Sequence, residues 1–186
     1  MSENNEHCAR VGIENPMGFH VRPVQRFAQL ARMFRADVTV SVRGRTVPGT
    51  SVINLVSLGG RSGDTLTIKA CGADARQCVA ALKYLAQDGF FVEDYMQERL
   101  AADRHVERLH RLASCFDSEI RVRLDDRTAD AKQAESLASL PLTPVSTPTF
   151  EIRGPDSEQA QAVLEDLVAS CFYIEDRMAE RGRKVT

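Results

Sequence analysis

Apolar residues along the first half of the chain either alternate with polar ones or recur at helical spacing, and these patterns predict its elements. Residues 8–14 and 37–42 alternate and predict strands, while 21–33 repeat with helical spacing and predict an amphipathic helix. The further predicted elements are a strand at about 45–48, a short helix at 51–58, a strand at 65–71 and a helix that begins at Asp74. The order β-α-β-β-α-β-α predicts an α+β fold, an open-faced sandwich in which helices cover one face of a four-stranded antiparallel sheet.

The sequence repeats itself without gaps at an offset of 82 residues. Strand 37–42 falls on 119–124, and the segment 90–96 falls on 172–178. Single-residue matches include Arg26, Leu30, Phe34, Gly72 and Asp74, which fall on Arg108, Leu112, Phe116, Gly154 and Asp156. So many matches at one offset indicate a tandem duplication. We therefore expect a first domain at 1–88 and a degenerate copy of it at 89–186.

The second copy is expected to keep most elements of the first. Its predicted elements are a helix at 104–116, strands at 119–124 and 147–153 and a helix at 157–172. The Ala/Ser/Pro-rich stretch at 129–146 is expected to be irregular in part. The equivalent of the first strand coincides with the segment 90–96, so the second copy is expected to lack that strand. An open sheet edge invites pairing. Our hypothesis is that the first domain or another chain covers it, the latter giving a homo-oligomer.

Composition and charge narrow the class of protein. The chain is 43% hydrophobic and 27% charged, which suits compact domains. It has no apolar run near the length of a membrane span, and its polar, acidic start does not look like a secretion signal, so a cytoplasmic location is expected. The net charge of −2 argues against nucleic-acid binding. Residues 1–88 hold eleven basic and seven acidic residues, a net charge of +4, whereas 89–186 carry −6.

The cysteines do not form a recognisable metal or redox motif. They are Cys8, Cys71, Cys78, Cys115 and Cys171. Their number is odd and their spacing matches neither zinc-binding nor CxxC patterns. We expect reduced, mostly buried thiols and no metal site.

The segment 15–23, which reads NPMGFHVRP, carries the candidate chemistry. Pro23 suits the first turn of a helix, which places His20 at or just before the N-cap. Free N–H groups and the positive end of the helix dipole then surround the imidazole and favour a phosphoryl group bound to it. Arg22 adds a planar set of donors for phosphate oxygens, and Gly18 allows the loop to approach closely.

Two motifs in register resemble HPr, the histidine-containing phosphocarrier family of the bacterial phosphotransferase system. The family pattern of glycine, apolar residue, histidine, variable residue, arginine and proline is met by Gly18-Phe19-His20-Val21-Arg22-Pro23. The family's serine signature is matched by 49–59, with Ser51 as the serine, and the resemblance covers about residues 9–88. It implies a phosphocarrier phosphorylated on Nδ1 of His20 and assisted by Arg22. Gly18, Val21 and Pro23 are expected to support the phosphate at the helix start.

The resemblance also implies partners. A phosphoryl group would come from enzyme I charged by phosphoenolpyruvate and pass to a IIA-type acceptor, with no cofactor. The expected docking residues are Phe19, Val52, Ile53 and Val56, although apolar residues of this kind could also belong to the core. Ser51 would be modified by an HPr kinase/phosphorylase, although it could simply cap the short helix.

The second copy departs from the pattern where the chemistry lies. His20, Pro23, Ser51 and Gly59 fall on Ala102, His105, Gln133 and Pro141, and only Arg22 keeps its type, at Arg104. No phosphohistidine is therefore expected there, and His105 and His110 are expected at the surface.

Two other functions remain open. In the first, the chain is a regulatory binding protein whose phosphorylation state at His20 or Ser51 controls a partner held by the second copy. In the other, both copies are structural and no acid-labile phosphate forms. Rapid passage of phosphate to an acceptor favours the carrier, whereas a stable phospho-form that alters partner affinity favours the regulator.

Overall fold

The computed structural model describes residues 5–91, 102–143 and 146–171. The chain divides into two compact units, Met1–Asp94 and Tyr95–Thr186. The described elements of the first unit are β1 (Glu6–Gly12), α1 (Val21–Ala31), β2 (Asp37–Val42), β3 (Arg45–Pro48), α2 (Val52–Ser57), β4 (Thr65–Cys71), α3 (Ala75–Gln87) and a 3-10 turn at Gly89–Phe91. The predicted order of elements is confirmed.

The first unit is an α+β open-faced sandwich, as predicted. Its four strands are antiparallel and lie in the order β1-β4-β2-β3. Alternate side chains of the two central strands are buried beneath the helices, namely Val38, Val40, Val42, Leu66, Ile68 and Ala70. Most residues between them are exposed, so helices cover one face of the sheet and the other face is open.

The bounds of β1 and α1 differ from the predicted 8–14 and 21–33, for reasons that the backbone bonds show. β1 ends at Gly12 because its pairing with β4 ends where β4 begins, at Thr65. Ile13 instead bonds the turn before β4, donating to Asp64 and accepting from Gly63, both at 2.9 Å. α1 ends at Ala31 because the chain then tightens into i→i−3 bonds.

The second unit repeats most of this architecture. Its described elements are α4 (Ala102–Ala113), β5 (Glu119–Leu124), β6 (Arg127–Asp130), α5 (Ala134–Ala138), β7 (Thr149–Arg153) and α6 (Ser157–Cys171). The described strands form a three-stranded sheet in the order β6-β5-β7. The stretch 129–146 is irregular in part, as expected, and it also holds the end of β6 and the whole of α5. No helix in the described ranges is long and apolar enough to cross a membrane.

The segment that follows α3 belongs with the first unit. The sequence placed a domain boundary between 88 and 89, but Phe90 is fully buried against Phe19, with ring centroids 5.2 Å apart. The position equivalent to β1 in the second copy is 88–94. Its described part, 88–91, ends α3 and forms the 3-10 turn, and is not a strand.

A buried aspartate occupies the same place in each unit. The carboxylate of Asp74 accepts the backbone N–H groups of Arg35 and Ala36, both at 2.8 Å. In the second unit Asp156 accepts those of Asp117 and Ser118 at 2.7 and 2.9 Å. Each aspartate therefore joins the start of its unit's last helix to the loop before a sheet strand. That strand is β2 in the first unit and β5 in the second.

The described thiols are less buried than expected. Cys8 is exposed on the open face of the sheet, while Cys71 and Cys115 are half-buried. Only Cys78, among the four described cysteines, is buried; burial, and then the charge of Asp74, raises the pKa of its thiol. Cys78 is therefore an inert core residue. The side chain of Cys171 lies outside the described residues.

Replacement of Asp74 should destabilise the first unit strongly. Asp74→Ala leaves one buried and one part-buried backbone amide without their charged acceptor, so we expect a loss of about 3 kcal/mol in the free energy of unfolding, measured in urea. Asp37→Ala is the matched control, because Asp37 is exposed at the start of β2. Equal unfolding midpoints for the two variants would contradict the structural role of the carboxylate.

Candidate functional site

His20 is the N-cap residue of α1, as the sequence predicts. Its backbone is extended (φ −97°), and its carbonyl oxygen accepts the first helical bond from Val24 N–H at 3.0 Å. No side chain caps this helix start. Pro23 has no N–H, so the first turn offers the backbone donors of Val21 and Arg22, which bond no acceptor within the described residues. These two donors and the helix dipole make this end attractive to an anion.

The imidazole of His20 is half-buried and held by its own loop. Its Nδ1 lies 3.1 Å from the carbonyl oxygen of Gly18. A carbonyl oxygen can only accept, so this contact is a hydrogen bond when Nδ1 carries the proton. In that tautomer Nε2 has the free electron pair. Any chemistry at Nδ1 must therefore break the contact with Gly18 and move the proton.

The loop before His20 is fixed by backbone bonds to the segment after α2. Phe19 N–H donates to the carbonyl oxygen of Gly60 at 2.9 Å, and Gly18 N–H donates to Asn15 at 2.8 Å. Gly18 has a φ of +72°, and a Cβ at this position would lie 2.6 Å from the Gly60 oxygen. Glycine is thus required twice over, for its backbone conformation and for this close approach. The close approach that the sequence predicted for Gly18 is therefore made to the protein's own backbone at Gly60.

Phe19 was predicted to dock partners, but its side chain belongs to the core. It is only 2% exposed and packs edge-on against Phe27, with ring centroids 5.7 Å apart, and against Phe90. Burial of this ring is worth on the order of 2 kcal/mol or more, and it leaves no surface for a partner. Phe19 is therefore removed from the docking set. It anchors the backbone next to the imidazole.

Apolar side chains are exposed near this helix start and on α2. Ile53 is 83% exposed and Val56 39%, whereas Val52 is half-buried and therefore partly available. The sequence analysis missed Met17, which is 76% exposed in the loop before His20, and the surface role of Val21, which is 51% exposed. A large apolar residue beside a glycine in a polar loop was the available signal for Met17. We call Met17, Val21, Ile53 and Val56 the apolar patch.

Arginines provide the positive charge of the site. The guanidinium of Arg22 is exposed and makes no hydrogen bond or ion pair with the rest of the described chain. The sequence analysis also missed Arg61, an exposed residue whose Cα would lie 3.2 Å from a Cβ on Gly18. Its backbone therefore adjoins the loop of His20. Both arginines can meet an anionic partner or ligand.

Ser51 caps α2, as predicted. Its Oγ accepts the backbone N–H of Asn54 at 3.5 Å, and the residue is half-buried. Its neighbour Thr50 is held from α1, because Arg32 donates to the Thr50 carbonyl oxygen from Nε at 2.9 Å and from Nη2 at 2.6 Å. The capping function of Ser51 is thus seen directly, and its modification stays a prediction.

The second unit has no comparable site among its described residues. Ala102 begins α4, where His20 caps α1 in the first unit. His105 was expected at the surface, but it is only 6% exposed, because it takes the place of the buried Pro23 on the inner side of the helix. His110 is half-buried, and its Nδ1 lies 3.2 Å from the carbonyl oxygen of Ala131.

Comparison with known proteins gives one family for both units. The PTS-HPr family model, described as the PTS HPr component phosphorylation site, matches residues 8–88 and again 101–170, which is more than half of the chain. The second match begins at 101, whereas the position equivalent to residue 8 is 90. The model thus matches the second unit without the segment that corresponds to β1.

Individual relatives support the same family assignment. The chain is similar to the phosphocarrier protein HPr of Mycoplasma genitalium, with 42% identity over 38% of this chain and 82% of that protein. It is similar to the phosphocarrier protein NPr of Proteus mirabilis, with 32% identity over 44% of this chain and 91% of that protein. It also resembles 11% of a multiphosphoryl transfer protein of Xanthomonas campestris, with 33% identity over 50% of this chain.

Gly18→Ala should lower stability by more than a change of backbone conformation alone. We expect a loss of about 2 kcal/mol or more in the free energy of unfolding, because alanine meets both a positive φ and the Gly60 oxygen. Gly63→Ala is the matched control: its φ is +88°, and a Cβ there would meet nothing within 4 Å. The difference between the two variants in urea measures the close contact. If Gly63→Ala costs as much, the contact with Gly60 is unimportant.

Proposed function

Because the chain belongs to the PTS-HPr family of phosphocarriers, we propose that the first unit carries a phosphoryl group on His20. The observation that carries the proposal is the position of His20, the N-cap residue of a helix whose first amides have no acceptor among the described residues. Those amides and the exposed guanidinium of Arg22 favour the binding of the anionic oxygens of a phosphoryl group at this helix start. The second unit, Tyr95–Thr186, is a degenerate copy without the acceptor histidine.

The proposed transfer exchanges one P–N bond for another. The donor is a phosphorylated histidine of enzyme I, whose P–N bond breaks as a new P–N bond forms to Nδ1 of His20. The proton of Nδ1 moves to Nε2 through solvent before the attack, and the contact with the Gly18 carbonyl is lost. In the second transfer, the P–N bond to Nδ1 of His20 breaks as a new P–N bond forms to a histidine of a IIA-type acceptor. No cofactor takes part in either step.

The apolar patch fits brief contacts with both partners. Its four side chains lie at the helix start that holds His20, in the loop before it and on α2. A small apolar surface with arginines beside it gives a contact that forms quickly and dissociates quickly, which a relay between two partners requires. Val52, half-buried on α2, is at the margin of this surface.

Ser51 offers control of the same surface. An HPr kinase/phosphorylase that phosphorylates it would add about two negative charges beside Val52 and Ile53. These charges would oppose docking of an acidic partner and add a desolvation cost to the apolar contact. The capping bond of Ser51 to Asn54 is long, at 3.5 Å, so its loss would cost little.

A second candidate function is regulatory binding through the second unit. The observation that favours it is a groove of about 730 Å³ between α4 and α5, lined by Val106, His110, Ala134, Ala138, Leu140 and Leu142 with polar residues beside them. In the first unit Arg32 crosses from α1 to Thr50, whereas its equivalent in the second unit is the short Ser114. A stable phospho-form that binds a partner without passing phosphate on would favour this function.

His20→Ala should abolish phosphoenolpyruvate-dependent labelling in the presence of enzyme I, while the circular dichroism spectrum stays that of the parent. His110→Ala is the matched control and should label normally. Labelling of His20→Ala would place the acceptor elsewhere.

Arg22→Ala should retain labelling but slow transfer roughly tenfold or more, since one charge-assisted contact to the phosphate is lost.

Ile53→Glu should slow phosphoryl uptake from enzyme I at unchanged stability. Ile53 is almost fully exposed, so the substitution leaves the core intact while placing a charge in the apolar patch. We expect a loss of roughly tenfold in kcat/KM measured with Ile53→Glu as substrate of enzyme I. Thr39→Glu, on the open face of the sheet, is the control with an equal gain of charge. Equal rates for both variants would remove α2 from the docking surface.

A further inference from the structure

Within the described ranges, the sheet of the second unit lacks the strand that borders the first sheet. In the first unit β4 pairs along its whole length with β1, from Glu6 opposite Cys71 to Gly12 opposite Thr65. In the second unit β7 pairs with β5 on one side, and no described strand lies on its other side. We call the place beside β7 that corresponds to β1 the edge site.

The backbone groups of Phe150 and Ile152 point towards the edge site. Ile120 of β5 accepts the Ala131 N–H at 2.9 Å and so directs its backbone groups to the side of β6. Ile152 lies opposite Ile120, and bonding direction alternates along a strand, so the groups of Ile152 and Phe150 face away from β5. Both residues thus offer an N–H donor and a carbonyl acceptor to an added strand.

The edge site also leaves apolar side chains of β7 partly exposed. Ile68 and Ala70 of β4 are 0% and 1% exposed. Their equivalents Phe150 and Ile152 are larger and point to the same helix-covered face, yet they are only half-buried. A strand in the edge site would therefore remove apolar surface from water as well as bond the backbone.

The edge site lies beneath α6, which limits what can fill it. In the first unit α3 packs chiefly on β1, and α6 is the equivalent helix of the second unit. A strand that enters the edge site must therefore share α6 and bring no covering helix of its own. The sheet of a second copy does not meet this condition, because its β7 would carry a second α6 into the same space. An extended peptide segment does.

One flank of α6 is acidic where the same flank of α3 is basic. Its members, three or four positions apart, are Arg76, Val79 and Lys83 in α3 and Glu158, Gln161 and Glu165 in α6. Val79 is 6% exposed on a helix that packs chiefly on β1, so this flank lies on the side of β1. Its equivalent Gln161 is exposed, as are the two glutamates, and donates to Glu165 at 2.8 Å. On the open face of β7, Glu151 is exposed as well. These charges favour a basic segment.

We propose that the edge site binds an extended, basic segment of a partner protein, which pairs antiparallel with β7 beneath α6. In the register that β1 has on β4, one residue of the segment lies opposite Glu151 on the open face. A lysine or arginine there forms a cross-strand pair with Glu151. A long basic side chain on the helix-covered face can extend over apolar surface to Glu165. Backbone bonds supply affinity, and the charges supply the preference for a basic segment.

The test is a titration of the full, isotope-labelled chain with a synthetic peptide, followed by NMR. The peptide has the sequence of residues 5–13 with the change Cys8→Lys, so in the register of β1 the new side chain faces Glu151 and Glu6 faces Arg153. The amide signals of Phe150 and Ile152 should shift, and their hydrogen exchange should slow. A peptide with Cys8→Glu instead should bind roughly fivefold more weakly, because like charges then face each other.

Glu151→Lys in the chain should reverse the preference between the two peptides. Glu135→Lys is the matched control, because it makes the same change of charge at an exposed position of α5 and should leave the preference unchanged. Circular dichroism checks that both variants fold. Phosphoryl labelling of His20 uses none of these residues, so it can succeed or fail independently of this test.

Three results would overturn the proposal. The first is that neither peptide binds, or that the shifts are confined to the first unit. The second is equal affinity for the two peptides. The third is slow exchange of the Phe150 and Ile152 amides in the free chain, because another part of the chain or a second copy would then already cover the edge site.

Discussion

In each copy one buried carboxylate accepts two backbone N–H bonds from the loop that enters the central strand, and the position of the last helix depends on it. Asp74 and Asp156 are 7% and 6% exposed and have matching partners. The glycine two residues before each of them is equally constrained. A Cβ on Gly72 would lie 3.0 Å from the Cα of Ala36, and one on Gly154 would lie 2.6 Å from that of Ser118. The duplication has therefore retained this joint between loop and helix while other positions changed.

Features set by neighbouring residues could be predicted from the sequence, and features set by distant contacts could not. The helix start at His20 and the cap at Ser51 depend on a few residues each, and both were predicted correctly. The burial of Phe19 depends on Phe90, far along the chain, so the docking role assigned to Phe19 was wrong. The repeat drew attention to Asp74, but the amides it binds are almost forty positions away, which the pattern alone does not reveal.

Comparison of the two units separates the residues that maintain the fold from those of the candidate site. The second retains the aspartate joint, the alternating strand residues and the helical apolar face, which are the parts that hold a sheet to its helices. It has lost the loop glycine, the imidazole and the proline at the helix start, which serve the site in the first unit. Its His105 has become a core residue at the former proline position. The fold thus persists without the residues of the site, although in the first unit Pro23 is buried and Gly18 contacts Gly60.

The packing of Phe19 between Phe27 and Phe90 links His20, the next residue along the chain, to the interior of the first unit. The peptide unit that precedes the imidazole moves only as far as this aromatic cluster moves. A change of volume deep in the cluster would therefore alter the reach of the ring without touching any exposed atom. Under the proposed function, the rate of transfer at His20 therefore depends also on core residues that contact no partner.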